Sequence, residues 1–143
     1  MLRVSEDFFQ GDAEFFFYLA VRNALVFGVE ATGDRGHVDL VVEDDHDLQF
    51  LYQLKLEHEG FKVLTANNGL EGLELTEKYK PDIILLDLMM PIMSGAEMLA
   101  IMRAQAWGNS ARVIILTNIS RDEAPQALRF LHVDRYIVKA HHT

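Results

Sequence analysis

Glu43-Asp44-Asp45, Asp87, Thr117 and Lys139 each stand at or just past the end of a short apolar run, namely residues 38–42, 83–86, 113–116 and 136–138. Apolar runs of this length, bounded by polar residues, read as buried strands. If the strands are parallel, their ends meet at one rim, and open parallel sheets place the working site outside their carboxyl ends. Carboxylates, a hydroxyl and an ammonium gathered there make a site for a hard divalent cation and an anionic group. Each signal alone has a plainer explanation. Adjacent acids suit the first turn of a helix, a single lysine is ordinarily exposed, and a threonine ends many strands. Their joint occurrence, in order, at four strand ends carries the weight. Adjacent carboxylates repel one another, and a divalent cation relieves that repulsion. Not all three acids at 43–45 need bind it, because successive side chains on an extended segment alternate in direction.

The elements that must position these groups alternate strand with helix over residues 37–140, the pattern of βαβ units and a parallel sheet. The first strand is 38–42. A helix follows from about Asp47 to Glu59, with Leu48, Leu51, Tyr52 and Leu54 near one face and Gly60 as its stop. Residues 61–65 form the second strand. Asn67-Asn68-Gly69 turns into a helix near 70–79, with Leu70, Leu73 and Leu75 apolar, and Pro81 ends it. The third strand is 82–87, followed by a loop over 88–94 that contains Pro91. Ser94-Gly95-Ala96-Glu97 has capping-box spacing and starts a helix to about Gln105. The fourth strand is 112–117. Asp122 or Ser120 caps a further helix ending near Leu131, provided that Pro125 falls in about its first turn. The fifth strand is 135–138.

The 143 residues suffice for one domain with a real core, and half of them are hydrophobic. A formal net charge of −9 argues against nonspecific nucleic-acid binding. Cysteine is absent, which excludes disulfides and thiolate metal sites and fits a cytoplasmic setting. Residues 1–36 form a separate region ending in the polar link Ala31-Thr32-Gly33-Asp34-Arg35-Gly36. Arg3 is the one base before its apolar stretch, and four acids intervene, so a secretory signal is a poor reading. The stretch 15–29 carries Arg22 and Asn23 at its centre. It is also shorter than the roughly 18–20 residues of a spanning helix, so no membrane span is expected.

With these pieces in place, residues 38–139 resemble a response-regulator receiver domain of two-component signalling, of the CheY type. The resemblance rests on Val41-Val42-Glu43-Asp44-Asp45, Asp87-Leu88-Met89-Met90-Pro91-Ile92-Met93-Ser94-Gly95, Leu116-Thr117 and Asp134-Arg135-Tyr136-Ile137-Val138-Lys139. It implies a flavodoxin-like, doubly wound five-stranded parallel sheet of order 2-1-3-4-5. It also implies that Asp87 is the phosphoryl acceptor. Glu43, Asp44 and Asp87, with the backbone carbonyl of Met89, would hold Mg²⁺. Thr117 would hydrogen-bond a phosphoryl oxygen, Lys139 would pair with the phosphoryl group or with Asp87, and Tyr136 would be an aromatic switch coupled to Thr117. The implied donor is a histidine kinase or a phosphotransfer protein. The output would be contact with a further protein, without nucleic acid or membrane.

Three departures from the family pattern stand out. Lys139 is followed by Ala140 where the family usually has a cis proline. A cis bond before alanine costs roughly 3–4 kcal/mol, so a trans bond, or a distorted loop that misplaces Lys139, is expected. The usual glycine before the last strand is replaced within Leu131-His132-Val133, where a positive φ at His132 would be strained. The fifth helix of the family has no counterpart after 139. The apolar segment in 1–36 is expected to substitute for it, as a helix over about 12–29 packed beside the first helix. A hairpin turning at Arg22-Asn23 is the alternative conformation, and homodimerisation an alternative role. Two other functions compete with the phosphoacceptor switch. One is a phosphorylation-independent interaction module. The other is an aspartate-nucleophile phosphatase, which usually needs a second acid where this chain has Met89.

Overall fold

The computed structural model describes residues 38–139. Strand β1 (Val38–Val42) leads to α1 (His46–His58), β2 (Lys62–Ala66), α2 (Gly69–Tyr79), β3 (Ile83–Leu86), α3 (Gly95–Arg103), β4 (Arg112–Thr117) and β5 (Arg135–Val138). All strand pairs are parallel and the sheet order is β2-β1-β3-β4-β5, as expected. Val42 lies opposite Ala66 and Leu86, Leu86 opposite Ile115, and Thr117 opposite Val138, so the carboxyl ends of the strands share one rim.

Alternation along each strand splits the core into two layers. Leu40, Val42, Ile84, Leu86, Val113 and Ile115 pack with Met98, Leu99 and Met102 of α3 and with Leu73 and Leu75 of α2. Val41, Leu85, Ile114, Leu116 and Ile137 share the opposite layer with Tyr52 and Leu56 of α1. Each of the three described α-helices is capped at its start. The Asp45 carboxylate accepts from the amides of Asp47 and Leu48, Asn68 accepts from Glu71, and Ser94 with Glu97 closes a full capping box. Gly60 takes a φ of 95° after α1, a left-handed turn that glycine adopts without strain.

Some expectations need correction. The core-facing stripe of α1 is the partly buried Leu48 with the buried Tyr52 and Leu56, at spacings of four, while Leu54 on the other side is half exposed. Leu70 is likewise largely exposed. Strand β2 starts one residue later than expected, at Lys62, because the Phe61 amide still donates to Leu56 of the preceding helix. Helix α3 ends at Arg103, whose guanidinium donates to the carbonyls of Gly108, Ala111 and His132.

The largest correction concerns the segment between β4 and β5, which is no α-helix. It forms two short 3₁₀ turns, Arg121–Glu123 and Gln126–Phe130. Pro125 explains the break. It forces Ala124 into extended backbone, with ψ of 152°, and offers no amide to a helical ladder. Of the two expected caps, Ser120 makes no side-chain cap bond and Asp122 lies inside the first turn.

His132 keeps out of the left-handed region. Among the described residues the non-glycine positions of positive φ are Lys80 and Ile92. No helix of the described residues is long and apolar enough to cross a membrane. The expected 1–36 extension, its helix over about 12–29, and Ala140 lie outside the described residues.

Candidate functional site

Strand ends deliver the site. The Glu43 amide donates to Ala66 and the Asp87 amide to Val42, which ties the ends of β1, β2 and β3 together. Glu43, Asp44 and Asp87 each bring a carboxylate oxygen to a place where all three lie within 4.8 Å of one another. Asp45 turns away to cap α1, so the three consecutive acids divide into two for the rim and one for the helix. The Thr117 hydroxyl donates to Asp87 Oδ1 at 2.8 Å. Lys139 Nζ donates to Glu43 Oε1 at 2.7 Å and lies 3.9 Å from Asp87 Oδ2. Its amide donates to the Thr117 carbonyl, which fixes the start of its side chain beside β4. Lys139 therefore sits in the site despite the alanine that follows it. The Met89 amide donates to Asp87 Oδ1 at 3.4 Å, and the Met89 side chain faces solvent.

Two glycines brace the loop that carries Asp87. A Cβ on Gly95 would overlap the Asp87 carbonyl oxygen, and one on Gly69 would lie 2.5 Å from the Met93 carbonyl oxygen. The loop thus folds down onto the starts of α2 and α3. Tyr136 is buried, and its phenol donates to the carbonyl of Ile119 at 2.7 Å, just past Thr117. Residue types and strand ends left two contributors unnoticed. Tyr52 of α1 places its ring 5.9 Å from Lys139 Nζ. Gln49 Nε2 donates to the carbonyls of Glu43 and Ala66 and so clamps the ends of β1 and β2. Their signal was their position, one and two turns after the acids.

Glu43 is the electrostatic centre of the cluster. Burial pushes its carboxyl up from the usual 4.5 to about 7, against the pull of Lys139, and the Asp87 carboxylate adds to the rise. Its Oε2 is buried with no hydrogen-bond partner among the described residues. An acceptor left without a donor, beside two further carboxylates, fits a hard cation that takes oxygen ligands.

The raised value has a consequence for stability. Between about pH 4.5 and 7 the folded chain binds a proton at Glu43 that the unfolded chain has released. Stability without divalent cation therefore falls as pH rises through that window, by roughly 3 kcal/mol. Urea melts in chelator at pH 5 and pH 8 measure this. Glu43→Gln should flatten the difference, and an equal slope in that variant would show another group at work.

The sequence model of the response regulator receiver domain matches residues 40–143. The chain belongs to the response regulator receiver family. This receiver is 35% identical over 108 residues to YkoG, an uncharacterized transcriptional regulatory protein of Bacillus subtilis. The match covers 74% of this chain and 45% of YkoG, so the chain spans less than half of that relative. Among solved structures, CheY4 of Vibrio cholerae aligns with a TM-score of 0.67 at 26% identity, covering 74% of this chain and 88% of CheY4. The response regulator TrrA of Thermotoga maritima, solved in complex with Mg²⁺–BeF, aligns with a TM-score of 0.64 at 31% identity, covering 73% and 87% of the two chains. The receiver fold is thus shared with these solved structures.

Proposed function

We propose that this receiver is a phosphoacceptor switch in which Asp87 takes a phosphoryl group from a phosphohistidine of a kinase or phosphotransfer protein. One observation carries the reading: Asp87 receives the Thr117 hydroxyl on one oxygen and faces the Lys139 ammonium with the other. An Asp87 oxygen forms the new bond to phosphorus as the bond from phosphorus to the donor imidazole breaks, and the imidazole keeps the electron pair and takes a proton. Lys139 offsets charge on the transferring oxygens. Thr117 exchanges its bond to Asp87 for one to a phosphoryl oxygen. Tyr136 would follow that shift, because its phenol holds the backbone two residues past Thr117.

Glu43, Asp44 and Asp87, with the Met89 carbonyl, are the residues that would hold Mg²⁺. When bound, that ion screens the carboxylates from one another and from the incoming phosphoryl group. Binding requires ionised Glu43, so affinity should rise with pH through about 7. The product is an acyl phosphate, labile enough to reset, which suits a signal rather than turnover of bulk substrate. The output is contact with a further protein, in a cytoplasmic setting.

Incubation with acetyl phosphate and Mg²⁺, followed by intact mass and peptide mapping, tests this. One phosphoryl group on the peptide that contains Asp87 is expected. No uptake would leave a phosphorylation-independent module, and steady release of phosphate at enzymatic rates would make the chain a phosphatase.

A further inference from the structure

The described helices divide unequally between the two faces of the sheet. Helices α2 and α3 share one face, together with the layer of Leu40, Ile84 and Ile115. On the other, α1 is the one helix among the described residues, and it packs on β1 and β2. Strands lie about 4.8 Å apart, and a helix with its side chains is about 10 Å wide. β4 and β5 lie two and three strand spacings from β1, beyond the width that α1 covers. Yet Ile114, Leu116 and Ile137, which point to that face from β4 and β5, are 0%, 2% and 1% exposed. Side chains of this kind need an apolar cover.

We propose that residues 15–29 of the chain lie across β4 and β5, beside α1, and supply that cover. This segment carries Phe15, Phe16, Phe17, Leu19, Val26 and Phe27, and Arg22 is its one charged residue. Of the other residues outside the described span, 1–14 interrupt their apolar side chains with Arg3, Glu6, Asp7, Asp12 and Glu14, 30–37 form the polar link, and Ala140-His141-His142-Thr143 offer little apolar surface. Reach is sufficient. The eight residues from Glu30 to His37 span up to about 26 Å when extended, whereas β5 lies about 15 Å from β1 across three strand spacings. In helical form the fifteen residues measure about 22 Å, enough to run the length of β4. Segment and sheet face bury apolar surface that each would otherwise expose to water. The cover is independent of any phosphoryl chemistry at the rim.

Because the chain contains no cysteine, one substitution creates a unique labelling site. In the full-length Asn23→Cys protein carrying a nitroxide, the methyl signals of Ile114, Leu116 and Ile137 should broaden more than those of Leu40, Ile84 and Ile115. Equal broadening on both faces, or none, overturns the proposal. A mixture of spin-labelled, isotopically silent chains with isotope-labelled chains tests a second copy as the occupant. Broadening that persists in the mixture belongs to a neighbour's segment and also overturns it. As a second measurement, the combined variant Phe15→Ser, Leu19→Ser and Val26→Ser should melt on the order of 10 °C lower. Phe130→Ser, at a side chain 88% exposed, should leave the midpoint in place. An unchanged midpoint in the combined variant counts against the cover.

Discussion

Asp87→Asn should end phosphoryl uptake from acetyl phosphate and, in the same protein, make the cation-free fold more stable at pH 8. The first effect follows from the proposed role of Asp87 as the attacking carboxylate, since an amide oxygen is a far weaker nucleophile. The second follows from the crowding of charge at the rim. Asp87 contributes to the rise at Glu43, after burial and against Lys139. An Asn removes that repulsion and still accepts the Thr117 hydroxyl, now 2.8 Å away. It gives up an attraction to Lys139 at 3.9 Å, but Lys139 retains its 2.7 Å bond to Glu43. The balance favours the variant by roughly 1 kcal/mol, a usual gain when a crowded charge is relieved. Groups arranged for chemistry often sit at such a disadvantage to the fold. Intact mass and urea melts in chelator read the two effects side by side. Uptake that survives, or a fold that weakens at pH 8, would contradict this account of the site.

Gly95→Ala should destabilise the fold by about 3 kcal/mol. Helix propensity alone gives the opposite sign, because alanine is the better helix former by about 1 kcal/mol. Packing decides the matter. A Cβ at 95 would overlap the Asp87 carbonyl oxygen and meet Leu88 Cα at 3.0 Å. These are backbone atoms on a loop already fixed by the bond from the Gly95 amide to the Leu88 carbonyl, so no side chain can swing aside. Relief requires Asp87 itself to move, and phosphoryl uptake should slow along with the loss of stability. Gly72→Ala provides a contrast. Its Cβ would meet side chains only, the flexible Met98 thioether at 2.8 Å and Val42 Cγ2 at 3.0 Å, and no backbone, so a smaller change is expected there. A Gly95→Ala protein with wild-type stability and uptake would show that the loop yields freely.

The rim was legible in the sequence because strand ends are. Once 38–42, 83–86, 112–117 and 135–138 read as parallel strands, Glu43, Asp87, Thr117 and Lys139 had to converge. Caps were legible too, since Ser94 and Glu97 act within one turn. What escaped depends on distance across elements or on competition within one. The nearness of Tyr52 to Lys139 depends on how α1 lies on the sheet. The close approach of Gly95 to Asp87 depends on the return path of a loop. The expected fourth helix had cap candidates in Ser120 and Asp122, and lost to the single demand that Pro125 places on Ala124.

That broken helix sets the order in which the molecule comes apart. Bonds such as Leu128 to Pro125 and Leu131 to Leu128 close single turns, and no long ladder joins them. Segments of this kind open locally, at a fraction of the free energy that melts a sheet. Amide protons from 121 to 131 should therefore trade with deuterium early, while those of β1 and β3 wait for the whole domain to unfold. Where the Tyr136 phenol lets go of Ile119, the strip between β4 and β5 can peel away and leave the acidic rim standing.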